Sequence, residues 1–71
     1  MDKLKLQSKI GENIKQARQK LGFTQIEVAK KAKISTNYYA RIERGEVNTS
    51  VETLESIFKA LNVKSSDILP F

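Results

Sequence analysis

The four residues Ala32-Lys33-Ile34-Ser35 constrain this chain more than any other stretch. Two segments of helical spacing meet there, and so short a connection leaves no room for a wandering loop. Helices joined this tightly must cross at a steep angle and pack as one unit. Both segments carry start signals. Thr24-Gln-Ile-Glu27 spells a capping box, in which the threonine oxygen takes a free backbone N–H and Glu27 reaches back to the capping residue. Ser35 offers the same kind of oxygen to the next segment, and Gly45 offers a left-handed stop. The pattern predicts helices over about residues 24–31 and 35–44, with Ile34 anchoring the turn between them.

Elsewhere the apolar spacing is also helical, and no segment alternates as a strand would. A first helix is expected over about residues 4–21, burying Ile10, Ile14, Ala17 and Leu21, with Gly22 as its stop and Phe23 plugging the core. In the second helix Val28, Ala29 and Ala32 are expected inward, and Ile26 toward solvent or a partner. A fourth helix over about residues 50–61 turns Val51, Leu54, Ile57, Phe58 and Leu61 inward. Thr49 and Ser50 both offer it capping oxygens, and Thr49 with Glu52 spells another capping box. A short last helix, about 65–69, carries Ile68 and Leu69. The expectation is an all-α chain forming a single domain over 1–71.

Composition narrows the chemistry. The 71 residues include no histidine and no cysteine. The commonest general base, the usual nucleophile–base pairs and the usual transition-metal ligands are therefore missing, and no enzyme, cofactor or metal site is expected. The glycines, Gly11, Gly22 and Gly45, form no phosphate-binding loop. No apolar run approaches membrane-spanning length or a secretion signal, so a soluble cytoplasmic protein is expected. The net charge is +5 and unevenly placed: residues 1–44 hold 11 Lys/Arg against 4 Asp/Glu, and residues 45–71 hold 2 against 4. A basic first part with a mildly acidic end suits a polyanion binder, although a lysine-rich solvated surface reads the same way.

The third helical segment sharpens this. Wound at ~100° per residue, Tyr39 and Ile42 fall on one side. Thr36, Asn37, Ala40, Arg41 and Arg44 fill a polar arc of roughly 140° opposite them. That arc lacks the Glu/Lys pairs of an ordinary solvated face. Glu43 falls beside Tyr39, on the helix's inner edge.

From Ile10 to Leu69 the sequence resembles the Cro/lambda-repressor-like, or XRE, helix-turn-helix domains. The matching pieces are Ile14…Arg18…Leu21-Gly22, Thr24-Gln25…Val28-Ala29…Ala32, Ile34-Ser35…Ile42-Glu43…Gly45 and Ser50-Val51…Leu54…Ile57…Ala60-Leu61…Val63. Within that family, Asn37-Tyr38-Tyr39…Ile42-Glu43-Arg44-Gly45…Asn48…Ser50 looks most like the small controller proteins of restriction–modification systems. The resemblance implies a five-helix bundle whose third helix lies in the major groove of double-stranded DNA. It implies base reading by Thr36, Asn37, Ala40 and Arg41: Asn suits adenine, Arg suits guanine, and Thr or Ala can meet a thymine methyl. Backbone contacts are implied for Gln25, Ser35, Tyr38, Arg44, Asn48 and Thr49, and a structural ion pair for Arg18 and Glu43.

Three positions depart from the family pattern. Lys33 stands where the turn usually has glycine, Phe58 where alanine is common, and Val63-Lys64-Ser65-Ser66 obscures the last helix start. A single domain of this size meets only one half-site, so a homodimer on a (pseudo)palindrome is expected. Its seam is expected at Leu61, Val63, Ile68, Leu69 and Phe71, at the less basic end. With no small-molecule ligand and no sensing domain after residue 71 expected, regulation falls to protein concentration, operator arrangement or a partner protein. The expected function is a DNA-binding transcriptional regulator, first a controller protein and next a phage-type repressor. An antitoxin-like protein-interaction module is the alternative from another class, and a nonspecific nucleic-acid binder is a third.

Overall fold

A computed structural model describes residues 3–71 of the chain. Five helices follow in order: α1 Lys3–Leu21, α2 Gln25–Ala32, α3 Thr36–Glu43, α4 Val51–Leu61 and α5 Ser65–Ile68. No strand occurs among the described residues, and none of their helices is long and apolar enough to cross a membrane. α2 packs against α3 and α4, and α3 packs back on α1.

Local chemistry sets the helix starts. Thr24 Oγ1 accepts from the Glu27 amide at 3.1 Å, and the Glu27 carboxylate accepts from the Thr24 amide at 2.9 Å. Ser35 Oγ accepts from the Tyr38 amide at 3.1 Å. At α4 the choice between two candidate caps falls to Ser50, whose Oγ accepts from the Thr53 amide at 3.1 Å. The Thr49–Glu52 box does not form, because the helix begins one residue later than that pairing requires. The turn between α2 and α3 runs through Lys33 at φ 61, a left-handed conformation that costs a side-chain-bearing residue about 0.5–1 kcal/mol relative to glycine.

Ile14, Val28, Tyr39, Ile57, Leu61 and Ile68 are the largest fully enclosed side chains of the core. Phe58 is buried among them, so the core accommodates its ring, and Phe23, Ile34 and Leu54 pack on the margin. Two expected core residues are not in it. Leu21 is 50% exposed and Val51 76% exposed. Each keeps the angular position of its stripe, but each lies in the terminal turn of its helix, past the neighbour that would cover it.

The α1–α3 crossing depends on two glycines. A Cβ on Gly11 would stand 2.6 Å from the Glu43 carbonyl oxygen and also collide with the Ile42 carbonyl oxygen. Gly45 turns at φ +72, and a Cβ there would meet Ser8 Cα at 2.7 Å. The end of α3 is thereby pressed onto α1, which fixes the direction in which the rest of α3 projects. At the other end of the bundle, Asn13 Nδ2 donates to the Ile68 carbonyl at 2.7 Å and ties α5 to α1.

Candidate nucleic-acid interface

α3 is divided sharply along its length. Tyr39, Ile42 and Glu43 are buried against the bundle, while Thr36, Asn37, Arg41 and Arg44 are exposed and Ala40 is half-buried between them. The exposed set shares one side of the helix and begins at its N-terminus, where Ser35 satisfies one free amide. These side chains offer the hydrogen-bonding groups that base edges require. Tyr38 is half-buried and packs on the core margin.

The buried side of α3 is held by a polar cluster. Glu43, only 6% exposed, faces Arg18, whose Nε lies 2.7 Å from Oε2 and whose Nη2 lies 3.2 Å from Oε1. Arg18 Nη1 donates to the Phe23 carbonyl at 2.9 Å, so every nitrogen of the guanidinium is engaged. Gln25 Nε2 donates to Glu43 Oε1 at 2.9 Å. Burial pushes the Glu43 carboxyl up, but Arg18, with Tyr39 and Gln25 beside it, outweighs it and holds the group below the ordinary carboxylate range. Tyr39 closes the cluster from within the core. Its buried hydroxyl makes no aligned hydrogen bond, and burial, with Glu43 next to it, holds the phenol well above its ordinary range.

Gln25 opens α2 with its amide half committed. One amide hydrogen is used on Glu43, which leaves the second hydrogen and the side-chain oxygen for a ligand at that helix start. Lys31 lies 4.2 Å over the Phe23 ring on the same unit. After α3, Arg44 and Arg41 both turn toward Glu46, at 2.6 Å and 3.7 Å. Asn48 and Thr49 lie in the segment that leads on to α4.

The expected dimer seam divides. Leu61 and Ile68, expected in the seam, are instead 1% and 2% exposed and complete the monomer core, which leaves neither for a surface seam. Val63, Leu69 and Phe71 instead line an apolar groove of about 690 Å³, with Leu6, Ile10, Val51 and Leu54. Phe71 is 83% exposed.

Sequence reasoning missed three contributors. Gly11 carried a signal, since a glycine inside a strong helical pattern marks a close packing contact. Glu46 carried another, as an acidic residue just past a helix C-terminus and within reach of two arginines on that helix. The Asn13–Ile68 bond spans 55 residues and left no local trace.

A sequence profile described as "Helix-turn-helix" matches residues 14–68. The immunity repressor protein of Bacillus phage phi105 is 40% identical over 60 residues, covering 84% of this chain and 42% of that protein. Control protein C.BamHI of Bacillus amyloliquefaciens is 36% identical over 62 residues, covering 86% of this chain and 76% of its own length. The crystal structure of the wild-type restriction–modification controller protein C.Esp1396I superposes with a TM-score of 0.81 at 36% identity, covering 86% of this chain and 78% of that one. The chain spans about half the length of several curated relatives that it matches.

Proposed function

The chain belongs to the helix-turn-helix family, and on that premise we propose that it is a sequence-specific double-stranded DNA-binding transcriptional regulator acting as a homodimer. α3 enters the major groove. Thr36, Asn37 and Arg41 read base edges, and Ala40 keeps the helix surface low enough for a thymine methyl. Gln25, Ser35, Tyr38, Arg44, Asn48 and Thr49 hold the phosphate backbone, which sets register and affinity. The observation that carries this reading is the division of α3. One side is sealed against the bundle, and the other presents exposed polar groups along the helix, with Arg41 and Arg44 held only in a half-exposed pairing with Glu46.

Dimerisation follows from scale. The domain measures 30 × 22 × 20 Å, whereas successive half-sites on one face of the duplex lie about 34 Å apart. One domain reaches one half-site, and a pair is needed for two. The groove with its exposed Val51 and Phe71 supplies an apolar surface for that pairing. The favoured subtype is a controller protein acting on its own promoter. It is favoured over a phage-type repressor because the stretch Asn37-Tyr38-Tyr39…Ile42-Glu43-Arg44-Gly45…Asn48…Ser50 is most like that of controller proteins, and the solved controller C.Esp1396I is 36% identical with a TM-score of 0.81.

The test is selection from random duplexes at physiological salt, with the Thr36→Ala/Asn37→Ala/Arg41→Ala variant run beside wild type. An enriched inverted repeat, lost in the variant while weak salt-sensitive binding persists, is the expected result. No enrichment by wild type removes the specific-regulator reading and favours a protein partner at the exposed Ile26 and Leu21.

A further inference from the structure

Glu46 sits where helix electrostatics disfavour it. It follows the C-terminal end of α3, at which the helix dipole repels an anion. The turn at Gly45 fixes it there, and its amide donates to the Arg41 carbonyl at 3.0 Å. From that position its carboxylate reaches both exposed arginines of the segment. Oε2 lies 2.6 Å from Arg44 Nε, with Oε1 3.4 Å from Arg44 Nη2. Oε1 also lies 3.7 Å from Arg41 Nε.

All three side chains are about half exposed, so these ion pairs contribute little to folding. Stability does not account for the placement. The Arg44 hydrogen bond, with the charges of Arg44 and Arg41, holds the Glu46 carboxyl below its ordinary range, and the group is ionised at neutral pH.

We propose that Glu46 is an internal competitor for DNA that lowers the affinity of the interface. This rests on the reading of α3 given above. A carboxylate presents to a guanidinium the same forked pair of oxygens as a phosphate. On any duplex, Arg44 must exchange Glu46 for a phosphate, and the freed carboxylate then faces the charge of the backbone. A random sequence returns only the phosphate contact. At a cognate site Arg41 must likewise leave Glu46 to reach the two acceptors of a guanine. Glu46 therefore opposes binding to any duplex, by holding Arg44 from the phosphate and by repelling the backbone once freed.

The experiment measures anisotropy of a fluorescein-labelled random-sequence duplex across a KCl series with wild type, Glu46→Gln and Asp67→Asn. Asp67→Asn removes the same charge from α5 and serves as the control for net charge. Glu46→Gln is expected to bind several-fold tighter, with the slope of log K against log salt steeper by up to about 1, because no freed carboxylate remains beside the backbone to retain a cation. Asp67→Asn is expected to follow wild type. A Glu46→Gln slope equal to wild type, or weaker binding, overturns the competitor role alone. Equal effects from the two variants assign the gain to bulk charge and also overturn it. Wild type that binds no duplex removes the reading of α3 and this inference together.

Discussion

Glu43→Ala is the most informative single change, because one carboxylate joins α1, α2 and α3. Its removal leaves Arg18 with an 11%-exposed side chain and only the Phe23 carbonyl as partner. Breaking one partner of a buried ion pair costs about 3–5 kcal/mol. The remaining Phe23 bond and the partial exposure of Arg18 place this case near the lower end, about 3 kcal/mol. A domain of this size has a total stability of roughly 4–10 kcal/mol and shifts about 4–8 °C per kcal/mol, so the melting temperature should fall by about 12–24 °C. Gln25 loses its acceptor as well, so DNA affinity should fall even at temperatures where the variant remains folded. Thermal unfolding by circular dichroism reads the first effect. Replacing both partners, as Arg18→Met/Glu43→Leu, should recover most of the loss, because apolar side chains leave no charge to desolvate. Glu43→Ala that melts with wild type would refute the reasoning.

The same residue gives a pH dependence with a fixed sign. The Glu43 carboxyl titrates lower in the folded chain than its ordinary value of 4.5. The stability it contributes is thus present above that value and is lost as pH falls below it. Wild type should lose melting temperature on acidification from about pH 5 downward, and Glu43→Ala should lose less over the same range.

Gly11→Ala should destabilise by about 1–3 kcal/mol despite the better helix propensity of alanine, because its methyl meets backbone oxygens that cannot move without separating α1 from α3; urea denaturation measures it. Lys33→Gly should gain about 0.5–1 kcal/mol by the same assay, since it relieves a left-handed lysine. Val51→Asp/Phe71→Asp alters only exposed side chains, so the monomer should melt normally. Sedimentation is then expected to show a dimer for wild type and a monomer for the variant, and a dimeric variant would move the seam elsewhere.

What could be read from the sequence was local. Thr24, Glu27 and Ser35 bond within their own first turns, so their spacing alone announced two helices and the tight turn between them. The polar arc of α3 follows from helical periodicity, and the structure leaves it exposed. What escaped was set by the way helices lie against one another. Leu21 and Val51 follow the apolar stripe but overrun the bundle, and periodicity does not say where a neighbouring helix ends. Leu61 and Ile68 suited a seam by position, yet the docking of α5 on α1 encloses Ile68, and Leu61 faces the core. The link from Gln25 through Glu43 to Arg18 needs three helices to converge, so family resemblance suggested the ion pair but not the amide.

The most direct test of α3 as the reading helix is an amide-resolved NMR titration of the labelled protein with the selected duplex. Perturbations concentrated at Thr36, Asn37, Ala40 and Arg41, with a second group at the start of α2 around Gln25, are expected. Perturbations confined to the groove between α1 and α4, with the α3 amides unmoved, would contradict the reading.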